Sequence, residues 1–187
     1  MQIVSGNQAS LPRGLYSELG TYRRQVFVEI LGWDLPSLVG FEQDQFDRPD
    51  TVYVVAKSDD GAIAGCARLL PTTEPYLLSE VFPELLNGQP APRSATVWEL
   101  SRFAAVDVGS ATPVRPGQLS SPIAVALLRA AIRAAACRGA RCLITVSPVG
   151  IERLLRHAGF QAHRAGPPVV VGGSPLFACW IEVMAEH

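Results

Sequence analysis

"SSPIAVALLRAAIRAAACRGARCLITVSPVGIERLLRHAG", Ser120 to Gly159, changes its hydrophobic period twice, and those changes decide the fold. Ser121 is placed as a cap, Pro122 falls in the first turn and Gly139 stands as a stop, so the apolar segment between them is predicted to be a helix. "RCLITVSP" is then a continuous apolar run, as expected of a strand covered on both faces, and "GIERLLRHAG" returns to helical spacing. Downstream, "PPVVVGG" and "LFACWIEVM" read as two final strands. Upstream, "ATVWELSRFAAVD" (Ala95–Asp107) reads as a buried strand, and "TVYVVAKSDDGAIAGCARLLP" as two strands around an Asp59-Asp60-Gly61 turn. "LLSEVFPELL" is a short helix between them. Leu15, Leu19, Tyr22, Val26 and Ile30 recur at helical spacing, which predicts an amphipathic helix over about 14–31. From Gly32 to Pro49 no apolar period remains, and the stretch reads as a long loop of the kind that is often functional.

The expected order is strand, helix, hairpin, strand, helix, strand, helix, strand, strand. Parallel crossovers and antiparallel hairpins in one chain imply a mixed central sheet with helices on both faces, a single α/β domain over 1–187. With 48% apolar residues and a formal charge of -1, the chain is long enough for a substantial core and lacks the cationic surplus of a nucleic-acid binder. Its longest apolar segment is broken by Arg129 and Arg133, so no membrane span is expected, and the start has no signal-peptide pattern; the expected compartment is the cytoplasm. Cys66, Cys137, Cys142 and Cys179 lack paired or metal-ligand spacing and read as buried free thiols, so no metal site is expected.

The strand at 95–107 carries charges that a buried strand should not. With period two, Glu99 and Ser101 face one side, and Trp98, Leu100 and Arg102 the other. Either a bulge near Ser101 re-aims one of them, or Arg102 braces acids on the opposite face. A carboxylate in an apolar strand is costly unless paired, so Glu99 is expected to be held by an arginine, Arg68 foremost.

In order along the chain, "RRQVFVEILGW", "FEQDQFD", "CARLLPT" and "VWELSRFAAV" resemble the motifs of the acyl-homoserine lactone synthases, the LuxI-type autoinducer synthases. The resemblance covers nearly the whole chain and is closest to the octanoyl-homoserine lactone synthase subgroup, through "LITVSPVGIERLLRHAGF". It implies a fold similar to that of the GCN5-related N-acetyltransferases, with a strand splayed at the Glu99–Arg102 position, which favours the bulge. It implies two substrates, S-adenosylmethionine and a fatty acyl thioester on acyl carrier protein, and no further cofactor. Glu99, Arg68, Arg102, Asp44 and Asp47 fall on the family's catalytic pattern, and Arg23, Phe27 and Trp33 on its substrate-binding pattern, with Ser101 beside them. Three arginines against Asp44, Asp47 and Glu99 would suit a zwitterionic ligand, and Phe27 and Trp33 would offer aromatic surface to a sulfonium and an adenine.

For the acyl tail the expected lining is Leu100, Phe103, Leu143, Thr145, Val146 and Leu154, with Thr145 able to hydrogen-bond a 3-oxo group. The phosphate-binding turn of the acetyltransferases should fall in "DVGSATPVRPGQLSSP", which matches it poorly; that favours acyl carrier protein over coenzyme A. Arg153, Arg156 and Arg164 would then form a docking patch for this acidic partner. Two other functions fit part of the pattern: an N-acyltransferase using acetyl-coenzyme A, and a non-catalytic acyl or nucleoside binder. The phosphate turn and the acid-rich loop argue against the first, and the intact charged set against the second.

Overall fold

The computed structural model describes residues 1–35, 37–38, 40–106, 108 and 122–183. β1 (Gln2–Gly6) leads to α1 (Leu15–Arg23), which continues as a π-helical segment over Arg24–Ile30. β2 (Ser37–Leu38) and β3 (Phe41–Glu42) form a small hairpin inside the stretch expected to be loop. β4 (Val52–Lys57) and β5 (Ile63–Pro71) are the expected hairpin, and α2 (Leu77–Val81) with a 3-10 turn over Pro83–Leu86 is the expected short helix. Then come β6 (Val97–Ala104), α3 (Pro122–Ala136), β7 (Cys142–Pro148), α4 (Ile151–His157), β8 (Ala162–Arg164), β9 (Val169–Val171) and β10 (Ser174–Glu182). β8 is a three-residue strand without a legible period, and the sequence does not announce it.

The main sheet has the hydrogen-bonded order β1-β4-β5-β6-β7-β10-β8, with β9 on β10. β6 and β7 are parallel, and the α3 crossover joins them, as the change of period at Ser120–Gly159 predicts. β1 with β4, and β10 with β7, β8 and β9, are antiparallel, so the sheet is mixed. Ala124, Leu127, Leu128, Ala131 and Ala135 form the buried stripe of α3 at helical spacing. No described helix is long and apolar enough to cross a membrane. The predicted cap Ser121 and most of the expected phosphate turn lie outside the described residues.

Two compact units divide the chain: residues 1–68 with 102–131, and residues 69–101 with 132–187. The core of the first is built from Leu15, Leu19, Tyr22, Val26 and Phe27 of the first helix together with Tyr53, Val55, Cys66 and Ala104. The second buries Leu143 and Ile144 of β7, and Phe177, Ala178 and Cys179 of β10, completely.

The first helix departs from its expected course. Within the π-helical segment the Leu31 N–H reaches the Val26 carbonyl five residues back, at 2.9 Å. The widened turn buries two consecutive residues, Val26 at 0% and Phe27 at 1% exposure, and it swings Ile30, expected on the apolar face, out to 41%. The thiols differ too. Cys66 and Cys179 are buried, but Cys142 is half-buried and Cys137, just past the end of α3, is exposed.

Candidate active site

The loop after β3 folds on its own acids. The Asp44 carboxylate accepts from the Phe46 N–H at 2.9 Å, and Asp47 Oδ2 accepts from the Asp44 N–H at 2.9 Å. Such side-chain turns are what Asp does well outside helices and strands. Thr51 closes the turn by donating to the Phe46 carbonyl at 2.7 Å. Both carboxylates are thereby fixed, each with oxygen capacity left for stronger donors.

Those donors are three arginines from three elements of the first unit: Arg23 at the end of α1, Arg68 in β5 and Arg102 in β6. Arg23 forks onto Asp47 at 2.8 and 3.0 Å and donates Nε to Glu42. Glu42 accepts from Arg102 Nη2 at 3.1 Å, and Arg102 Nη2 also reaches Asp44 at 2.8 Å. Asp44 takes Arg68 Nη1 at 2.6 Å, and Arg68 closes the circuit on Asp47 at 3.3 Å. The result is a closed ring of alternating charge, Arg23–Glu42–Arg102–Asp44–Arg68–Asp47, in which no side chain is more than 5% exposed. Positive and negative charges balance, the condition under which buried ions are tolerable. Tyr53 Oη adds a 2.9 Å hydrogen bond to Asp47, and the Phe46 ring lies 5.8 Å from the Arg68 guanidinium carbon. Arg68 is thus an interior ring member, fully buried in an inner strand.

Burial alone would raise the Asp47 pKa, but the Arg23 fork and the charges of Arg23 and Arg68 outweigh it and hold the carboxyl well below the usual range. A carboxyl whose folded pKa lies below its unfolded value of about 3.9 adds stability above that value and loses it as pH falls toward the folded one. Urea midpoints should therefore decline steadily as pH is lowered from about 5, and Asp47→Asn should flatten that decline.

Arg102 sits at φ +49°, the left-handed region, which interrupts the strand's alternation right after Ser101. Of the two alternatives left open by the sequence, the structure shows the second: the Arg102 guanidinium braces acids of the loop. The Cys66 thiol donates to the Arg102 carbonyl at 3.2 Å, and burial pushes that thiol up to about 12, so it serves as a neutral donor. Phe27 lies 5.7 Å from the Arg102 guanidinium carbon and stacks on Trp33 at 4.9 Å and 29°. Trp33 remains 45% exposed, leaving indole surface for a ligand.

Glu99 is fully buried in the second unit, where its two oxygens accept from the N–H groups of Leu77, at 3.0 Å, and Leu78, at 2.7 Å. These are the first turn of α2, a natural place for a carboxylate. Within the first unit Arg68 binds Asp44 and Asp47, and the third acid on the arginine ring is Glu42. Ser101 is buried at 7% exposure.

The residues expected to line the acyl tail fall on several elements. On β7, Leu143 and Thr145 share a face, opposite Ile181 and Cys179 of β10, whereas Val146 points to the other face with Ile144, the neighbour of Glu99. Leu100 is buried on the Trp98 side, Leu154 is half-buried on α4, and Phe103 is half-buried in the first unit. The Thr145 hydroxyl makes a long 3.4 Å contact to the Val146 carbonyl. Arg153, Arg156 and Arg164 are exposed, as a docking patch requires. Glu152 pairs with Arg164 at 2.8 Å and with Arg156 at 3.5 Å, and Arg164 also lies over the Phe177 ring at 5.0 Å.

Sequence reasoning passed over Glu42, Tyr53, Phe46 and Glu152. Glu42 stands inside the quoted "FEQDQFD", in a two-residue strand too short to show a period. Among the described residues, no group of three His, Cys, Asp or Glu side chains could hold a metal ion.

Comparison with known proteins follows this geometry. Residues 7–187 match the family described as autoinducer synthase. An acyl-homoserine-lactone synthase of Acinetobacter nosocomialis is 55% identical over 183 residues, covering 98% of this chain and all of the relative. The crystal structure of TofI in a ternary complex with an inhibitor and MTA is 50% identical, with a TM-score of 0.83 over 99% of this chain and 93% of that one. The CoA-dependent acyl-homoserine lactone synthase BjaI, solved with SAM and isopentyl-CoA, is 27% identical with a TM-score of 0.80 over 97% of this chain and 83% of that one. At the level of fold alone, an N-acetyltransferase from Lactobacillus plantarum superposes with a TM-score of 0.61 at 17% identity.

Proposed function

The chain belongs to the autoinducer synthase family and is an acyl-homoserine-lactone synthase that acylates S-adenosylmethionine, and from that premise we propose how its residues divide the work and which thioester it uses. The observation that carries the reading is the closed, neutral ring of three arginines and three acids beside the Phe27–Trp33 stack. A ligand that presents an ammonium, a carboxylate and a sulfonium can exchange with such pairs charge for charge. The aromatic pair offers the sulfonium and the adenine a π surface.

In the first step the methionine nitrogen attacks the thioester carbonyl. The carbon–sulfur bond breaks, the carrier thiolate leaves and takes up a proton, and the nitrogen gives up one to Glu99 directly or through one water. The α-amino group has a reference pKa of roughly 8 and is mostly protonated at neutral pH, so its first proton leaves to solvent to give the attacking free amine and the second passes to Glu99 as the amide forms. In the second step the methionine carboxylate attacks its own γ carbon. The bond to the sulfonium breaks, methylthioadenosine departs with the electron pair, and the lactone closes.

The acyl donor in this reading is acyl carrier protein, met in the cytoplasm and docked on Arg153, Arg156 and Arg164. Support comes from their exposure and from the surplus of three guanidinium groups over the one acid, Glu152, that pairs with two of them. A coenzyme A thioester is the second reading, favoured by the likeness to BjaI. The two separate by salt. Raising ionic strength should lower kcat/KM for octanoyl-carrier protein by about tenfold while a small octanoyl thioester changes little, and Arg153→Glu with Arg156→Glu should act the same way. Equal losses on both substrates would point to damage of the fold, and faster turnover with the coenzyme A thioester to the second reading. Mass spectrometry of lipid from a heterologous host expressing the chain reads the product directly, with eight acyl carbons expected.

A further inference from the structure

We infer that Gly20 is a positioning residue for the ring, because its missing side chain seats Phe41 and so delivers Glu42 to Arg23 and Arg102. The inference rests on the ring's being the S-adenosylmethionine site.

Tyr16, Gly20 and Arg23 recur at i, i+4 and i+7 on α1 and so share one face of the helix. Each holds a different part of the acid-bearing chain. Arg23 holds Glu42 and Asp47 directly. The Tyr16 ring packs against Phe41, with centroids 6.1 Å apart, and edge-on against Tyr53, at 5.4 Å, whose hydroxyl holds Asp47. Between them the Phe41 ring lies on the bare Cα of Gly20. A Cβ there would stand 2.1 Å from Phe41 Cε2 and 2.4 Å from Cδ2 and Cζ.

The ring has little freedom to retreat. Tyr16 flanks it, and the Phe41 backbone is paired with Leu38 in the β2–β3 hairpin. Moving the ring therefore moves β3, and the next residue of β3 is Glu42, fully buried and bound to two guanidinium groups. Glycine in mid-helix is locally unfavourable, and alanine would favour α1. The contact with Phe41 supplies a reason for glycine that helix formation does not.

The experiment is a double-mutant cycle on purified enzyme, read by titration calorimetry with S-adenosylmethionine, by steady-state kinetics and by thermal melting. Gly20→Ala should raise Kd and KM for S-adenosylmethionine by about tenfold or more and lower the melting temperature, because the clash with Phe41 outweighs the gain from the better helix former. Phe41→Leu in the Gly20→Ala background makes room for the Cβ and should bring KM back to within about threefold of the parent, a non-additive result that simple damage to α1 does not produce. If Gly20→Ala alone does not fold, the double variant decides, since it must fold and bind. Unchanged KM in Gly20→Ala, or a double variant no better than the single, overturns the inference. Glu42→Gln is the control on the ring itself: unchanged binding there removes the ring as the substrate site and this inference with it, whereas weakened binding there beside normal Gly20→Ala binding removes Gly20 alone.

Discussion

Glu42→Gln lowers kcat/KM for S-adenosylmethionine by at least about a hundredfold, the effect of roughly 3 kcal/mol, in an enzyme that still folds. The carboxylate takes Arg23 Nε on one oxygen and Arg102 Nε and Nη2, at 3.3 and 3.1 Å, on the other. An amide of the same shape accepts on only one side, and its NH₂ group is then aimed at a guanidinium N–H, donor against donor. The ring also gains a net positive charge, and breaking a buried pair from one side typically costs about 3–5 kcal/mol. Kinetics together with a urea melt check both halves. A variant with parental kinetics would reduce Glu42 to a structural brace.

Glu99→Gln lowers acyl transfer by about a hundredfold or more, the usual scale for loss of a general base, while KM for S-adenosylmethionine changes less. Its stability also falls, because an amide cannot accept both the Leu77 and the Leu78 N–H; leaving one buried donor unmet costs about 1–3 kcal/mol. Stability and catalysis are separated by the pH profile of kcat/KM, in which the parent should show an acidic limb that the variant lacks. A folded Glu99→Gln enzyme with near-normal turnover would leave Glu99 as the anchor of α2 and no more.

Much of the architecture was legible because it was written in periods. Ser120–Gly159 passes from helical spacing to an unbroken apolar run and back, and the parallel β6–α3–β7 crossover follows. The Asp59-Asp60-Gly61 turn gave the hairpin for the same reason, with Gly61 at φ +88°. Strands of two or three residues cannot show a period, so β2, β3 and β8 were silent, and the residue that β3 delivers, Glu42, was silent with them. Resemblance to the family, not spacing, brought Arg23, Arg68, Arg102, Asp44 and Asp47 forward, and the structure does set these on one another. Two of the donors to Glu99 gave no signal in the sequence: they are backbone amides 22 and 21 residues earlier, and every residue but proline carries one. On β7 the residues named for the acyl lining alternate, so Leu143 and Thr145 share a face that Val146 does not.

The left-handed backbone at Arg102 bears on any attempt to make this enzyme more heat-resistant. A non-glycine residue there costs about 1–2 kcal/mol, so a redesign that weighs backbone geometry first would choose glycine. That choice strips both Glu42 and Asp44 of a guanidinium partner in the protein interior, a loss larger than the relief it brings. Thermostable descendants should therefore keep arginine at 102 in its awkward conformation, and take their gains elsewhere.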